Sequence, residues 1–310
     1  MRTEIDRREF LRRTAVTGGV VAASTTLGLA DLVPAEAGTG ALWGALALPT
    51  GGQSDQQAAV RNLERAVGRR FATTHYRMPW TTPLVNNFTR WSARNGHNKQ
   101  ILSWFARTQS GPVSWRSIAD GQRDAWIATQ ARHLRGTGWS GYFCFHKEPE
   151  DEGSAADWKD AYARVRQIFG NVGVRRFQWV VCLMASTYSA GRAAQWIPNR
   201  YDILGVDGYN RNNCGGSSGW RSFSKIIGPA RTFARNRSKK LYVIEYGCVE
   251  GSAGAKAEWF DKTANTIRRW PQIVGVSYNH ENTDCNYFAD TSQGALAAFR
   301  RMGARPYFGG

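Results

Sequence analysis

Residues 203–247 read ILGVDGYNRNNCGGSSGWRSFSKIIGPARTFARNRSKKLYVIEYG, and this stretch contains the repeating unit that decides the fold. It begins with a short apolar run at 203–206 and ends with a second one at 241–244. Between them, residues 223–235 have the pattern of a helix. A strand, a crossover helix and a second strand are typical of a parallel sheet covered by helices.

The same alternation recurs along the chain from residue 41 onwards. The expected strands are 41–49, 71–79, 100–106, 142–145, 177–185, 203–206, 241–244 and 273–278. The expected helices are 54–69, 84–94, 117–134, 155–169, 190–197, 223–235, 255–270 and 292–302. Eight nearly equal units close a barrel that has no free edge. The sequence therefore predicts an α/β fold, a single-domain (β/α)8 TIM barrel over residues 38–310.

Helix-capping residues agree with this register. Ser54, Ser117, Ser154 and Ser292 each stand before a helical run, where a hydroxyl can accept a hydrogen bond from an unpaired backbone N–H. A dinucleotide-binding fold would need a glycine-rich turn after the first strand, and Gly51-Gly52-Gln53 lacks the required spacing.

The first 37 residues have the features of a twin-arginine signal peptide. Residues 7–11 read Arg-Arg-Glu-Phe-Leu, a mildly apolar stretch covers 15–32, and Ala35-Glu36-Ala37 forms a small-residue cleavage site. We therefore expect residues 1–37 to be removed and the mature protein to be secreted or extracytoplasmic. No later run reaches the ~20 apolar residues that span a bilayer.

The net charge of +17 favours polyanionic partners. The basic residues are dispersed over many predicted helices, and the chain contains none of the usual nucleic-acid-binding motifs. We expect attraction to anionic cell-envelope polymers, no specific nucleic-acid partner and a monomeric protein.

Five cysteines cannot all pair within one chain, and none has the spacing of a metal site. Cys144 and Cys182 fall inside apolar strands, where a thiol behaves as a small hydrophobe. Cys214, Cys248 and Cys285 each follow a strand in the last third of the chain. In an oxidising compartment, two of these three are expected to form a disulfide.

Two glutamates follow strands whose carboxyl ends meet at one mouth of the barrel, where barrel enzymes place their active sites. Glu148 lies in the segment His-Lys-Glu-Pro-Glu-Asp-Glu at 146–152, after strand four, and Glu245 ends strand seven. Paired carboxylates suit the cleavage of a glycosidic bond, in which one is protonated and the other is an anion.

The sequence neighbours of the two glutamates suggest which one is the acid. Glu150, Asp151 and Glu152 crowd Glu148 with negative charge, which favours its protonated form. Glu245 has no acidic neighbour before Glu250, and a nearby tyrosine hydroxyl could hydrogen-bond its anion; Tyr209, at the end of strand six, could orient the nucleophile or bind substrate. We assign Glu148 as the acid and Glu245 as the nucleophile. A separation of about 5 to 5.5 Å would indicate a retaining mechanism.

At these residues the chain resembles clan A glycoside hydrolases. The resemblance rests on Glu148-Pro149, on Glu245 and on the turn Asp-Gly-Tyr-Asn at 207–210. The pattern His146-x-Glu148 is most similar to glycoside hydrolase family 26, whose members include endo-β-mannanases. The resemblance implies Glu148 as acid/base, Glu245 as nucleophile and a β-linked polysaccharide such as β-mannan as substrate.

One residue departs from that pattern. Clan A members usually place Asn, or in family 26 His, directly before the acid/base, and here that position is Lys147. A lysine ammonium next to Glu148 would favour the ionised carboxylate and oppose the acid role. Strict strand alternation from Glu148 predicts that Lys147 points outward and that His146 is the inward neighbour.

Further residues on strand ends and mouth loops are candidates for binding the substrate. Sugars stack their apolar faces on indole rings, and histidines can donate hydrogen bonds to hydroxyls. The candidates are Trp80, Trp104 and Trp220 among 13 tryptophans, together with His75, His146, Asp207, Tyr209, Tyr246 and Asn279. The histidines show no H-E-x-x-H or comparable spacing, so we expect neither a metal nor another cofactor.

Two functions from different classes fit these observations. The first is a secreted retaining glycosidase that cleaves a β-linked polysaccharide by double displacement. The second is a non-catalytic carbohydrate- or cell-wall-binding barrel, in which Lys147 has spoiled the acid and the positive charge attaches the protein to anionic polymers. A variant of the first is a cationic hydrolase that acts on a charged polymer of the producer's own envelope.

Overall fold

The computed structural model describes residues 40–50, 52–216 and 219–309. The expected export signal at 1–37 lies outside these residues. Within them, no helix is both long enough and apolar enough to cross a membrane.

Eight parallel strands form a closed barrel, which confirms the fold predicted from the sequence. Each strand pairs with its neighbours along the chain, and the last strand pairs with the first, for example Trp43 with Val276. The strands are β1 Leu42–Ala47, β2 Thr73–Met78, β3 Gln100–Trp104, β4 Gly141–Phe145, β5 Phe177–Met184, β6 Ile203–Asn210, β7 Leu241–Cys248 and β8 Ile273–His280. A small antiparallel ribbon, Arg107–Thr108 with Gly111–Pro112, follows β3.

Helices connect the strands on the outside of the barrel. They are α1 Gln56–Val67, α2 Asn87–Arg94, α3 Trp115–Ala119, α4 Asp124–Thr137, α5 Ala155–Val172, α6 Ala185–Ser189, α7 Phe223–Arg235, α8 Ala255–Arg268 and α9 Gln293–Gly303. Short 3-10 helices cover Ala193–Trp196 and Pro306–Phe308.

Two expected helices are interrupted at glycines. The single helix expected at 117–134 is divided into α3 and α4, with Gly121 at φ 85° between them. The helix expected at 190–197 is replaced by α6 and a 3-10 turn, with Gly191 at φ 69° between them. Positive φ is incompatible with an α-helix and costs little at glycine, so the helices stop there.

The helix caps match the sequence at two of the four serines. Ser154 caps α5 and Ser292 caps α9. At α1 the cap is Asp55 instead of Ser54, and at α3 it is Ser114, which accepts a hydrogen bond from the Ser117 backbone. Both expected caps are therefore wrong by one to three positions.

Apolar side chains pack in two layers, one inside the barrel and one between the strands and the helices. Inside the barrel, a cluster that includes Ile101, Tyr142, Val180, Ile203 and Tyr242 comes from the early parts of the strands. Outside the barrel, a larger cluster packs the strands against the helices. The inner cluster fills the end of the barrel at which the strands begin. The charged residues of the interior therefore lie nearer the carboxyl ends of the strands.

Strand β7 contains a bulge beside β6. Val206 pairs with Val243 and Asp207 pairs with Glu245, so Ile244 has no partner in this ladder. Ile244 belongs to the inner apolar cluster, whereas Tyr246 belongs to the outer one. A bulge bends a strand and re-aims its side chains. Here it lets two successive residues, Ile244 and Glu245, point into the barrel.

A disulfide joins Cys214, after β6, to Cys285, after β8. This confirms that two of the three late cysteines form a bridge. The third, Cys248, is a buried free thiol. Cys144 and Cys182 are buried thiols inside the barrel, as the sequence predicts.

The disulfide should stabilise the folded protein by restricting the unfolded chain. It encloses a sequence separation of 71 residues, and the chain-entropy relation for such a loop gives about 4 kcal/mol. We expect the double variant Cys214→Ala/Cys285→Ala to lose about that much free energy of unfolding in a denaturant titration. A reducing agent should destabilise the parent to the same extent and leave the double variant unchanged. Equal stability of parent and variant would contradict this account.

Candidate active site

Glu245 is held at the carboxyl end of β7 by hydrogen bonds from two other strands of the barrel. Its side chain is only 1% exposed. Arg77, on β2, donates from Nε to Oε1 at 2.8 Å and from Nη2 to Oε2 at 2.5 Å. The Tyr209 hydroxyl, on β6, donates to Oε2. Two parallel N–H bonds from one guanidinium fix both the position and the plane of the carboxylate.

Arg77 is itself oriented by residues at the end of β8. Glu281 accepts hydrogen bonds from Nη1 and Nη2, each at 3.1 Å. Asn279 accepts from Nη2 at 3.1 Å and donates to Glu281 at 2.7 Å. The guanidinium therefore lies between two buried carboxylates and cannot turn away from Glu245 without losing partners on both sides.

Lys147 points into the barrel, and the expectation that it turns outward is wrong. Its side chain is 3% exposed, and its Nζ lies 2.6 Å from Asp207 Oδ2. The same nitrogen lies 3.0 Å from Glu245 Oε1 and 3.4 Å from Glu148 Oε2. The ammonium thus contacts the carboxylates of β6, β7 and its own loop.

The backbone explains the direction of Lys147. Strand β4 ends at Phe145, and both His146 and Glu148 have positive φ, at 44° and 52°. Side chains alternate between the two faces only while the backbone stays extended. Because the left-handed residues end that alternation before Glu148, the sequence rule fails at this point. Non-glycine residues in this conformation are rare and are often found at active sites.

The ring of His146 does not line the mouth of the barrel, where it could bind a substrate. Its Nδ1 accepts hydrogen bonds from the Ala106 backbone at 3.0 Å and from Trp115 Nε1 at 3.3 Å. Because Nδ1 accepts, Nε2 carries the proton and donates to Glu152 at 2.9 Å. Both ring nitrogens are used in holding the loop, which corrects the substrate-binding role expected from the sequence.

Glu148 lies close to Glu245 and is the more accessible of the two. Its side chain is 22% exposed, and its backbone N–H donates to the Cys182 carbonyl at 2.9 Å. One nitrogen, Lys147 Nζ, lies 3.4 Å from Glu148 Oε2 and 3.0 Å from Glu245 Oε1. The two oxygens can therefore be no farther apart than the sum of these distances, 6.4 Å.

The charges around Glu245 decide its protonation state. Burial by itself would raise the pKa of Glu245, but Arg77 and Lys147 hold it well below its usual range. Burial would also lower the pKa of Lys147, but Asp207, Glu148 and Glu245 raise it well above the usual lysine value. Burial raises the pKa of Asp207 against the pull of Lys147. At neutral pH the site therefore contains an ionised Glu245 and a charged Lys147.

His75 and Asn279 lie inside the barrel beside these charges. His75 Nε2 and Ser103 Oγ are 2.8 Å apart, and Nδ1 lies 3.5 Å from Glu245 Oε1. Burial lowers the pKa of His75 to about 3, so the imidazole is neutral. Of the residues expected from the sequence, the structure brings together Glu148, Glu245, Asp207, Tyr209, His75 and Asn279.

Three aromatic residues expected to bind the substrate are buried in the apolar packing outside the barrel. Trp104 is fully buried on the outer face of β3, where it stacks on Trp80 with ring centroids 4.2 Å apart. Trp80 is covered by this contact and is 6% exposed. Tyr246 packs outward against Phe223 and Trp259. The bulge in β7 explains why Tyr246 points outward, because it turns Glu245 inward and the next residue outward.

Trp220, unlike Trp80 and Trp104, has an exposed ring that could bind a sugar. It lies between β6 and α7, is 39% exposed and packs over Gly251 in the loop after β7. An added Cβ at Gly251 would lie 2.6 Å from the Trp220 ring, so this close approach requires glycine.

Two residues of the site, Arg77 and Glu281, were not predicted from the sequence. The signal for Arg77 is the alternation Thr73, His75, Arg77 on β2. It places the guanidinium on the same inner face as His75, which was predicted as a site residue. Glu281 directly follows β8 and carries no such pattern. In the part of the chain that the structure describes, no group of three or more His, Cys, Asp or Glu side chains is arranged to hold a metal ion.

Known structures share this barrel. No protein-family model and no curated protein matches the sequence. A glycoside hydrolase family 26 β-mannanase from Bacteroides ovatus superposes with a TM-score of 0.60 at 12% identity, covering 86% of this chain and 89% of that one. A modular endo-β-1,4-mannanase from Cellulomonas fimi gives 0.60 at 14% identity, with 86% and 71% covered. A family 128 endo-β-1,3-glucanase from Amycolatopsis mediterranei gives 0.51 at 11%, with 85% and 100% covered. At these identities the likeness is one of fold.

Arg77→Met should be strongly destabilising, because it leaves the buried Glu245 and Glu281 without their shared cation. Breaking a buried ion pair on one side costs about 3 kcal/mol or more. We expect this loss in urea unfolding at pH 7. The matched control is Arg116→Met, which removes an exposed guanidinium paired with Asp120, Asp157 and Asp160 and should cost less than about 1 kcal/mol.

The pH dependence of the same measurement follows from the lowered pKa of Glu245. A carboxylate with a lowered pKa contributes stability that is complete above its unfolded pKa of about 4.3 and is lost as the pH falls through its folded pKa. The unfolded state is the same in both proteins, so the difference in stability between parent and Arg77→Met should narrow as the pH falls through the pKa of Glu245 in the folded variant, which is higher than in the parent because the guanidinium is gone. A difference that is constant from pH 7 to pH 3 would refute the assignment of an ionised Glu245.

Proposed function

We propose that this protein is a retaining glycoside hydrolase that cleaves a β-linked polysaccharide, with β-mannan as the most favoured substrate. The observation that carries the proposal is the pair formed by Glu245, buried and held ionised by Arg77 and Lys147, and Glu148, partly exposed and no more than 6.4 Å away. Retaining enzymes have carboxyl groups about 5 to 5.5 Å apart, whereas inverting enzymes need about 6.5 Å or more to admit a water molecule. The limit of 6.4 Å joins one pair of oxygens, Glu148 Oε2 and Glu245 Oε1, and brings both carboxylates within reach of one glycosidic bond. Retention is proposed from the resemblance to clan A glycoside hydrolases, which implies Glu245 as nucleophile.

Each group around the pair has a role in double displacement. Arg77 and Tyr209 orient Glu245 toward the anomeric carbon and keep it an anion. Glu148, at the solvent-accessible side, protonates the leaving oxygen and then activates a water molecule as a base. Asp207 and Asn279 hold Lys147 and Arg77 and so support the nucleophile indirectly.

The substrate class rests on the resemblance of the glutamate motifs and on the fold. The similar structures include two described as β-mannanases and one described as an endo-β-1,3-glucanase. All three names denote enzymes that act on β-linked polysaccharides, which supports the choice of such a glycan for this chain. Trp220, exposed beside the loop after β7, is proposed as a stacking platform for a sugar ring.

Export through the twin-arginine pathway is proposed together with this activity. The Cys214–Cys285 disulfide supports an oxidising compartment. The charge of +17 supports attraction to anionic envelope polymers, and we propose that the protein acts as a monomer.

The activity is tested with a panel of β-1,4-mannan, β-1,3-glucan, cellulose and xylan. We expect the parent to hydrolyse one of them, and Glu148→Ala to lower kcat by about 10² to 10⁴. Glu245→Ala should reduce hydrolysis to background. NMR of the first product should show the β anomer, and azide should rescue Glu148→Ala on a 2,4-dinitrophenyl glycoside. Full activity in both variants would exclude this pair as the catalytic centre.

A second function is favoured by one observation, the position of Lys147. Lys147 Nζ lies 3.4 Å from Glu148 Oε2, so a cation contacts the carboxyl group that would have to donate the proton. On this hypothesis the barrel binds carbohydrate or anionic wall polymers without cleaving them. Binding by the parent without turnover on any glycan of the panel would support it, and binding to anionic polymers should then weaken with added salt.

Trp220→Ala tests the proposed stacking platform. Loss of an aromatic contact in a binding site costs about 1 kcal/mol or more, so KM for a long oligosaccharide should rise several-fold while kcat stays near the parent value. Trp43→Phe, at a fully buried ring on the outer face of the barrel, is the control for an aromatic change away from the mouth. An unchanged KM for Trp220→Ala would exclude the ring from binding.

A further inference from the structure

Lys147 is surrounded by carboxylates and has no donor left over for a ligand. An ammonium has three N–H groups, and the Nζ of Lys147 faces one oxygen each from Asp207, Glu245 and Glu148, at 2.6, 3.0 and 3.4 Å. Its side chain is buried, so water does not replace these partners. Lys147 is therefore unsuited to recognise an acidic group of a substrate, and its role must concern the carboxylates themselves.

The distances to the two proposed catalytic glutamates are nearly equal. We propose that Lys147 is the shared counter-ion of Glu148 and Glu245, which stabilises the single negative charge of the pair on either carboxylate and thereby sets the pH range in which the pair carries one proton. This inference rests on the proposed glycosidase function. It makes Lys147 a positioning residue that acts on the charge of the pair, and not a group that spoils the acid.

The chemistry of double displacement moves that charge from one glutamate to the other. In the first step an oxygen of Glu245 bonds to the anomeric carbon, the glycosidic C–O bond breaks, and the proton of Glu148 passes to the leaving oxygen. Glu245 becomes a neutral ester and Glu148 an anion. In the second step water attacks the anomeric carbon, its proton returns to Glu148, and Glu245 leaves as the anion. The pair carries one negative charge before and after each step.

A cation that faced Glu148 alone would oppose the first step, because it would favour the negative charge on the acid before the proton is donated. A cation that also faces Glu245 is close to the charge in either of its two positions. At 3.4 and 3.0 Å, Lys147 faces both, so it loses little stabilisation when the charge moves. On this proposal Lys147 does not oppose the acid role of Glu148, as the sequence suggested, because its ammonium faces both carboxylates.

Other charged and titratable groups face the same carboxylates and must be considered with Lys147. From β2 these are Arg77 and His75, from β4 and β5 the thiols of Cys144 and Cys182, from the loop after β4 Glu150, from β6 Asp207 and Tyr209, and after β8 Glu281. Arg77 lies between Glu245 and Glu281, His75 is neutral, and Tyr209 donates to Glu245. Among these groups, Lys147 is the one cation that also contacts Glu148 in the described part of the chain.

The test is the pH dependence of kcat/KM for the parent and for Lys147→Met, with mannohexaose as the substrate, or cellohexaose if the panel identifies a β-1,4-glucan. The acid limb of the profile reports protonation of the nucleophile, and the alkaline limb reports loss of the last proton from the pair. Removal of a nearby cation lets carboxylates keep their protons to higher pH. We expect both limbs to move upward, each by about one to three pH units.

A second probe identifies the two limbs. With 2,4-dinitrophenyl β-mannobioside or β-cellobioside the leaving group departs without a proton, so the alkaline limb should vanish from the kcat/KM profile of the parent. The acid limb should remain and should still move upward in Lys147→Met. Lys147→Gln, which keeps a hydrogen-bond donor without the charge, should shift both limbs like Lys147→Met and replaces it if that variant does not fold.

The matched control is Lys256→Met, because Lys256 is also a fully buried lysine but bonds to the Phe288 carbonyl and Thr291. Its variant should leave both limbs at the parent positions, whatever its effect on stability. Lower activity in Lys147→Met with unmoved limbs would show a purely structural role and overturn the proposal. Movement of one limb alone would overturn the shared role. A parent that hydrolyses no glycan would instead remove the proposed function.

Discussion

The positive charges of Arg77 and Lys147 against the buried Glu245 carboxylate are the interaction on which the mouth of this barrel depends. A carboxylate removed from water costs several kcal/mol unless nearby cations and hydrogen bonds replace its hydration. Here the guanidinium contributes two hydrogen bonds and the ammonium lies at 3.0 Å. The bulge in β7, the left-handed residues after β4 and the Tyr209 hydroxyl all place groups within reach of that one anion.

The sequence was sufficient for the architecture and for placing Glu148 and Glu245 at the same mouth of the barrel, because both follow from local patterns. Apolar runs separated by helical segments repeat eight times, and a carboxylate at a strand end is visible without any knowledge of pairing. The direction of Lys147 was not predictable in this way, because it depends on positive φ at His146 and Glu148. Arg77 lies 168 residues from Glu245, and only the closed barrel brings the two together.

The aromatic residues show a second limit of local patterns. Tryptophan is suited both to sugar binding and to filling the large space between a barrel and its helices, and a count cannot separate the two uses. Trp43 illustrates the second use: its ring packs so closely on Gly303 that an added Cβ would lie 2.5 Å away. Trp104 and Trp80 are part of the same outer packing. Tyr209 on β6 donates to Glu245, whereas the bulge in β7 turns Tyr246 outward, although Tyr246 is next to Glu245 in the sequence.

The pairing of β1 with β8 connects the closure of the barrel to the charges at its mouth. Glu245 takes Arg77 from the second strand and, through Arg77, Glu281 from the end of the eighth, so its partners come from both sides of the seam where the barrel closes. An open sheet with this seam unpaired keeps only the cations that the middle strands supply. Opening the seam would separate the buried carboxylate from Arg77, at the cost of leaving part of its charge uncompensated. Closure of the ring and completion of the site therefore stabilise each other.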